Sequence, residues 1–211
     1  MQLRTNNASD KSQALVGKII NKIEGLTKPR KKFMISVIIL FLSMRGRYTF
    51  KGMERYGSKC EKSYRLQFEQ PFDFLSFNIS LCKNEISEHC ILAFDPSYLP
   101  KSGKRTPHLG KFWSGCLDRA VKGIEIGDLG AVDVENNTAF NLEAIQTPSP
   151  AQLKIEGKSL VTHYAQVLID RWEKIASISN YLAVDGYFAK KNVYRSDYES
   201  NWFSYYFQVT I

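Results

Sequence analysis

The most constraining feature of this sequence is a short apolar run that ends on a carboxylate and a turn residue. Ile91–Phe94 is followed directly by Asp95 and Pro96. An apolar run bounded by turn residues predicts a buried strand, and an acid at its end lies at the rim of a sheet where a ligand can reach it. The chain then enters a basic, glycine-containing loop with three cationic side chains, Lys101, Lys104 and Arg105.

A second segment repeats this pattern ninety residues later. The sequence YLAVDG at residues 181–186 delivers Asp185 after a short apolar run, and Lys190 and Lys191 follow it. Two strands that each present an Asp beside cations are typical of sites for divalent metal ions and phosphates. Alone, Asp95 would be interpreted as a turn-capping residue before Pro96. The matching context of Asp185 favours a metal-binding role for both acids. We therefore predict that their carboxylates lie at the ends of neighbouring strands, close enough to share a metal ion.

Charge and composition limit the classes of partner. The 211 residues carry a formal net charge of +8, which favours an anionic partner such as nucleic acid, although a chain that is merely soluble and basic stays open. The ten residues Phe33–Leu42 are too few for a membrane span of about 20 residues, so we predict a buried helix and no membrane segment. The four cysteines lack zinc-knuckle spacing and no secretory signal leads the chain, which indicates a reduced, cytosolic protein with Cys90 packed as a small hydrophobe.

The first part of the chain predicts helices. Apolar spacing indicates helices over residues 14–26, 33–44 and 72–81, with a break around Pro29. Between them, Thr49 is expected to cap a short helix that ends at a Gly57 turn, and a second helix over residues 60–68 presents Lys62, Arg65 and Gln67. Those side-chain types contact bases and phosphates in helix–turn–helix proteins, but an ordinary helix pair with a solvated basic face is an equally good interpretation.

From Ser87 onward the pattern changes to strands. We predict a strand ending at Asp95, a long loop to about Gly115, strands over residues 121–135 and 138–146, a helix over residues 159–178 and a strand over residues 181–184. Lys101, Lys104 and Arg105 are expected beside Asp95, where DNA phosphate contact is favoured over a solvated loop. The remaining candidates are given structural roles: Asp133 and Glu135 are expected to be solvated, and His108 and His163 to bind no metal. Trp113 is expected in the core, with stacking on an unpaired base left open.

At this point three stretches carry a resemblance to a known family. AFDPSYLPKSGKRTPHLGKFWSG, GAVDVENNTAFNLEAIQTP and YLAVDGYFAKK, in this order, resemble the catalytic core of DDE transposases encoded by bacterial insertion sequences, over about residues 88–195. RYTFKGMERYGSKCEKSYRLQF is similar in position and style to the DNA-binding region of such proteins. The resemblance implies an α+β protein. A helical, helix–turn–helix-like DNA-binding region over residues 1–86 would precede a partial ribonuclease-H-like α/β core over residues 87–211.

The resemblance also implies a chemistry and a cellular setting. Asp95 and Asp185 would be two catalytic acids and metal ligands, a later Glu the third, and two Mg²⁺ or Mn²⁺ ions the cofactors. The DNA contacts would come from Lys62, Arg65, Lys101, Lys104, Arg105, Lys190 and Lys191. The partner would be double-stranded DNA at the terminal inverted repeats of the element, in the bacterial cytoplasm at the nucleoid, with self-association left open.

The third acid is where the sequence departs from the family pattern. After Asp185 only Asp197 and Glu199 remain, and neither lies in an amphipathic helix pattern. We therefore expect a transposase fragment truncated before the third acid, unable to complete strand transfer alone, with Glu199 as the less favoured third acid. Two alternatives stay open: a non-catalytic DNA-binding protein derived from a transposase, and a complete ribonuclease-H-type nuclease.

Overall fold

The computed structural model describes residues 3–185 and residue 188 and has a mixed α+β fold. The chain divides into two compact units, Met1–Leu81 and Cys82–Ile211. The predicted boundary after residue 86 lies between the last helix of the first unit and the first strand of the second. None of the helices in the described part of the chain combines the length and apolar character needed to cross a membrane.

Helices make up the first unit. They are α1 Leu3–Lys22, α2 Lys28–Ser43, α3 Phe50–Tyr56, α4 Glu61–Phe68 and α5 Phe74–Cys82. The predicted helices are confirmed, but α1 begins well before the predicted residue 14. Pro29 lies in the first turn of α2, where its missing N–H costs nothing, rather than in a break between helices. The Thr27 side chain caps this turn by accepting a hydrogen bond from the Arg30 N–H.

The apolar faces of these helices form one core. Its fully or nearly fully buried members include Ile20, Phe33, Met34, Val37, Met53, Tyr64 and Phe77. The Thr49 side chain caps α3 as predicted, by accepting from the Gly52 N–H at 3.0 Å. Gly57 ends α3, and a Cβ there would lie 2.1 Å from the Tyr64 hydroxyl. Only glycine therefore allows α4 to pack this closely on α3.

A five-stranded mixed sheet organises the second unit. Its elements are β1 Cys90–Pro100, β2 Gly110–Ser114, β3 Arg119–Asp133, β4 Thr138–Gln146, α6 Pro150–Ile155, α7 Leu160–Ile175 and β5 Leu182–Val184. β3 pairs antiparallel with β1 along one edge, and with β2 and then β4 along the other. β5 is parallel to β1 on the far side. The predicted order of strand, hairpin, helix and strand is thus present.

β1 runs five residues beyond Asp95, so the prediction that it ends there is wrong. The N–H of Leu92 donates to the Tyr181 carbonyl on the β5 side at 2.9 Å. N–H groups alternate between the two edges of a strand, so position 96 faces the β5 side too. Among the described residues, β5 pairs with β1 only as far as Phe94. Pro96 therefore loses no ladder hydrogen bond, which is why a proline is tolerated within β1.

The two faces of the sheet differ. Leu92, Phe94, Leu129, Ala131 and Leu142 are buried on one face. The Phe94 ring contacts the Tyr164 ring of α7 at 5.2 Å between centroids, which fixes the helix on this side. The opposite side, which we call the open face, carries the alternating positions Asp95 on β1 and Asp128 on β3, both exposed. No helix of the described part of this unit covers the open face next to these acids.

Three further predictions need correction. The long loop predicted up to Gly115 contains β2, and α6 was not predicted at all. Trp113, expected in the core, is 59% exposed because it alternates with the buried Phe112 and Ser114 of β2. Cys90 is buried, as predicted.

Asp133 is fully buried, although it was expected to be solvated. Its carboxylate accepts hydrogen bonds from the backbone N–H and side chain of Ser87 and from those of Asn136. It therefore ties the segment before β1 to the turn between β3 and β4. Chiefly because of the Asn136 and Ser87 hydrogen bonds, the pKa of Asp133 lies far below its usual range.

The Asp133→Asn variant tests this anchor. An amide nitrogen cannot accept the bonds that the carboxylate accepts, so we expect a melting temperature lower by several degrees at pH 7. The depressed pKa stabilises the fold above about pH 4, and this contribution is lost as the pH falls through the folded-state value. The difference between wild type and variant should therefore shrink below about pH 4. Thermal unfolding followed by circular dichroism from pH 7 to pH 2 measures it, with Glu135→Gln in the same turn as the control. A difference that does not change with pH would contradict this role.

Candidate active site

The strand register brings the two predicted acids together. Phe94 on β1 pairs with Val184 on β5, so Asp95 and Asp185 follow at the same level on neighbouring parallel strands. Ala93 and Ala183 pair two residues earlier, and side chains alternate, so both acids belong to the open face. The prediction that Asp95 and Asp185 lie on neighbouring strands is confirmed, whereas a metal ion shared by their carboxylates stays a prediction. Their catalytic and metal-binding roles stay predictions.

A third acid, missed from the sequence, lies in the same row. Asp128 on β3 pairs directly with Asp95 on β1. Directly opposed residues have Cβ atoms about 5 Å apart on the same face. The Asn141 side chain on β4 donates a hydrogen bond to the Asp128 carboxylate across the β-bulge at Leu129–Gly130. The open face thus carries Asn141, Asp128, Asp95 and Asp185 on the adjacent strands β4, β3, β1 and β5.

The three carboxylates of this row, Asp95, Asp128 and Asp185, repel one another when no cation lies between them. The pKa of Asp95 lies above its usual range, first because its surroundings remove part of its hydration and then because Asp185 and Asp128 repel its negative charge. No basic side chain is among the causes of the shift. A cation bound between these groups would relieve the repulsion.

The donor set can be compared with what a metal ion requires. Carboxylate and amide oxygens are hard ligands suited to Mg²⁺ or Mn²⁺. Within residues 3–185 and 188, however, no three His, Cys, Asp or Glu side chains are arranged as a metal site. The carboxylate oxygens of Asp95 and Asp185 are therefore of the chemical type that binds a divalent ion, but they make up only part of the ligands that such an ion needs. Asp197 and Glu199, the candidates for the third acid, lie outside the described residues.

A buried polar cluster supports β3 on the opposite face, next to Asp128. Glu125 is 6% exposed and accepts a hydrogen bond from the Tyr164 hydroxyl, which lies 2.6 Å from the Thr147 hydroxyl. Burial raises the pKa of Glu125, although these hydrogen bonds oppose the shift. Gly127 lies between Glu125 and Asp128 on β3, and a Cβ at this position would lie 2.5 Å from the Phe94 ring. This cluster and close packing fix α7 and β3 beneath the acid row.

The predicted cationic loop does not lie beside Asp95. Because β1 continues to Pro100, Lys101 follows Asp95 by six extended residues, or about 20 Å at 3.3 Å per residue. Lys101, Lys104 and Arg105 are exposed at the far end of the β1–β3 ribbon. Lys101 is therefore too far from Asp95 to share a phosphate with it, so a DNA contact at Lys101 would fall elsewhere on the strand. Lys190 and Lys191 lie outside the described residues.

In the helical unit, the predicted recognition residues have local partners. Arg65 donates to Glu61 one turn earlier, and its guanidinium lies 4.7 Å from the Phe50 ring centroid. The Gln67 side chain accepts a hydrogen bond from Arg30 at 3.0 Å. Lys62 is exposed on α4. Of the predicted trio, Lys62 is therefore the side chain best placed to meet an external anion.

Comparisons with known proteins do not identify a family. No model of a known protein family matches this chain, and no curated protein matches it either.

Repulsion within the acid row predicts a stabilising substitution. Asp128→Asn removes a like charge directly opposite Asp95 and keeps the size of the side chain. We expect the free energy of unfolding at pH 7 to rise by about 0.2–1 kcal/mol, with a smaller gain at 1 M salt where screening is strong. Urea unfolding at both salt concentrations measures it. Glu88→Gln, an exposed acid outside the row, is the control. Loss of stability in Asp128→Asn would mean that the acids do not repel as described.

Proposed function

We propose that this protein is a metal-dependent DNA phosphoryl transferase of the DDE transposase type, acting on double-stranded DNA at element ends. The observation that carries the proposal is the position of Asp95 and Asp185, level with each other on two neighbouring parallel strands. In the motif resemblance these are the first and second catalytic acids. The resemblance rests on sequence motifs alone, so the adjacency of the two acids in the sheet is independent support.

The sheet topology supports the same proposal. The strands β4, β3, β1 and β5 lie in that spatial order, with the first three antiparallel and β5 parallel to β1. α7 connects β4 to β5 and packs on the face opposite the acids. Three antiparallel strands, a helix and a parallel strand beside the first form the first half of a ribonuclease-H-like core. The finer assignment of the fold to that class is part of this proposal.

The residues of the row have separable tasks in this chemistry. Asp95 and Asp185 would hold a divalent ion, which supplies Lewis-acid activation of a phosphate and of the attacking hydroxyl. Asn141 keeps the Asp128 carboxylate in place through its hydrogen bond. The open face leaves the acids accessible to a DNA backbone. The packing of Phe94 and Tyr164 beneath them keeps the two strand positions fixed.

Charge is divided unequally between the two units, which supports a DNA partner. Residues 1–81 contain fifteen Lys and Arg against six Asp and Glu, a net charge of +9. Residues 82–211 contain fourteen against fifteen, a net charge of −1. The whole basic excess of the chain therefore belongs to the helical unit. Nonspecific DNA affinity comes mainly from Lys and Arg contacts to phosphates, so that unit is the expected source of affinity.

The catalytic proposal is tested by metal binding and strand cleavage in the same variants. Calorimetric titration with Mn²⁺ and nicking of supercoiled plasmid in Mn²⁺ are measured for wild type, Asp95→Asn and Asp185→Asn. We expect both variants to lose Mn²⁺ binding and to nick at least about 100-fold more slowly, because each removes a charged ligand. Asp118→Asn, in the turn between β2 and β3, is the matched control. Nicking that survives in Asp95→Asn would contradict the proposal.

A non-catalytic DNA-binding protein is the second candidate, favoured by the +9 charge of the helical unit. Under this alternative, DNA is bound but no metal-dependent nicking occurs in wild type. Retained Mn²⁺ binding that requires Asp95, together with nicking, would exclude it.

Both candidates predict that DNA affinity depends on the helix–turn–helix-like pair α3 and α4. Lys62→Glu should weaken binding to a labelled duplex several-fold and lower the slope of log affinity against log salt by about 1 or more, because it removes a phosphate contact. Lys18→Glu, an exposed lysine on α1, is the matched control for net charge. Fluorescence anisotropy at several salt concentrations makes the comparison. Equal effects of the two substitutions would remove the support for α4 as a DNA-contacting helix.

A further inference from the structure

The hairpin formed by β2 and β3 carries an unusual pair of like charges on the open face. Lys111 on β2 pairs directly with Lys122 on β3, and both are exposed. Like charges at directly opposed positions destabilise a sheet. Within the described residues, neither lysine forms an ion pair with an acid. An anion bound between them would offset this repulsion.

An exposed indole lies next to this pair. Trp113 is two residues from Lys111 on β2, so it lies on the same face, and it is 59% exposed. Its strand neighbours Phe112 and Ser114 are both 4% exposed and hold the register of β2. The residue opposite Trp113 is Ala120, whose small side chain cannot cover the ring. We call Lys111, Lys122 and Trp113 the hairpin patch.

The hairpin patch shares the open face with the acid row. Lys122 and Asp128 are six residues apart on the same continuous strand, so their side chains are on the same side, about 20 Å apart. Between them, exposed or half-buried positions of β1 and β3 such as Leu99 and Ile124 form the face. A nucleic acid strand advances about 3.4 Å per nucleotide in helical form, so the interval corresponds to about six nucleotides.

The cations of the neighbouring loop favour an anionic ligand over a protein surface here. Lys101, Lys104 and Arg105 are exposed in the connection between β1 and β2, and Gly123 on β3 pairs with both Pro100 and Gly110 at the two ends of that connection. The loop therefore begins and ends next to the hairpin patch. Asp118 in the hairpin turn is the one acid within residues 101–122. Cations beside an exposed aromatic ring are the combination that binds single strands through phosphates and base stacking.

We propose that the hairpin patch binds a single DNA strand, with a base stacked on Trp113 and phosphates held by Lys111 and Lys122, and that this strand leads toward Asp95. The inference rests on the proposed function, because it assigns the strand to the DNA whose phosphate would reach the acid row. It assigns the recognition of unpaired bases to the catalytic unit, whereas the basic helical unit would contact the duplex.

The test measures binding of a fluorescein-labelled oligothymidylate of twelve nucleotides to the full chain at about 0.2 M salt. EDTA is present, so the outcome does not depend on the metal site. Trp113→Ala should weaken binding about tenfold, because stacking on one aromatic side chain is lost. Leu117→Ala removes an exposed apolar side chain from the same hairpin and should have little effect.

The two lysines are tested against a cation of the same hairpin that lies on its other side. Lys111→Gln with Lys122→Gln should weaken binding several-fold and lower the salt slope by about 1.4, or 0.7 for each phosphate contact to a single strand. Arg119→Gln, whose partner Ser114 faces the other side of the hairpin, should change the slope much less. The oligonucleotide should also quench the tryptophan fluorescence of wild type more than that of Trp113→Phe. This second readout is insensitive to binding by the helical unit.

The outcomes separate this inference from the proposed function. Unchanged affinity and unchanged quenching in the Trp113 variants would overturn it, as would equal slopes for the Arg119 and double-lysine variants. A change of sedimentation coefficient in Trp113→Ala with unchanged DNA affinity would also overturn it, by indicating a protein interface. Binding that requires the hairpin patch, together with absence of nicking in Mn²⁺, would support the inference and contradict the catalytic proposal alone.

Discussion

The position of β1 between β3 and β5 is the constraint on which the rest of the second unit depends. One strand pairs antiparallel on one side over eleven residues and parallel on the other over three. The first pairing places Asp128 opposite Asp95, and the second places Asp185 beside it. A shift of either neighbour by one residue would turn its acid to the helix-covered face. The row therefore exists only in this register.

Buried polar contacts fix that register where apolar packing alone would leave it weakly specified. Asp133 joins the segment before β1 to the end of β3 through hydrogen bonds with Ser87 and Asn136. Further along β3, Glu125 joins this strand to α7 by accepting a hydrogen bond from the Tyr164 hydroxyl. Each group would be costly to bury without its partners, so only the observed pairing satisfies both. Gly127 adds a steric requirement between them.

The sequence allowed prediction of most elements, though not of β2 and α6, and of the neighbouring positions of Asp95 and Asp185, but not of the register between β1 and β3. Periodicity predicted α7 and β4 closely because their apolar positions repeat over many residues. The end of β1 was predicted wrongly, since the tolerance for Pro96 depends on where β5 stops, which is a tertiary fact. Asp128 was missed for the same reason. Nothing local distinguishes it from a solvated acid until the register brings it opposite Asp95. Trp113 was assigned to the core because large aromatic side chains are usually buried. It is exposed because it lies at an outward-facing position of β2, a strand that was not predicted.

Under the proposed function, DNA affinity and phosphoryl-transfer chemistry have opposing electrostatic requirements, and the positive and negative charges of the chain lie in different units. A row of three acids repels phosphate, so a protein that uses such a row on DNA needs attraction from elsewhere and a cation at the row itself. The +9 charge of residues 1–81 would attract a DNA partner at long range, whereas residues 82–211 are close to neutral. Within this neutral unit, Lys111 and Lys122 on the open face are about 20 Å from the acids, two Debye lengths at 0.1 M salt. They are too distant to neutralise the row.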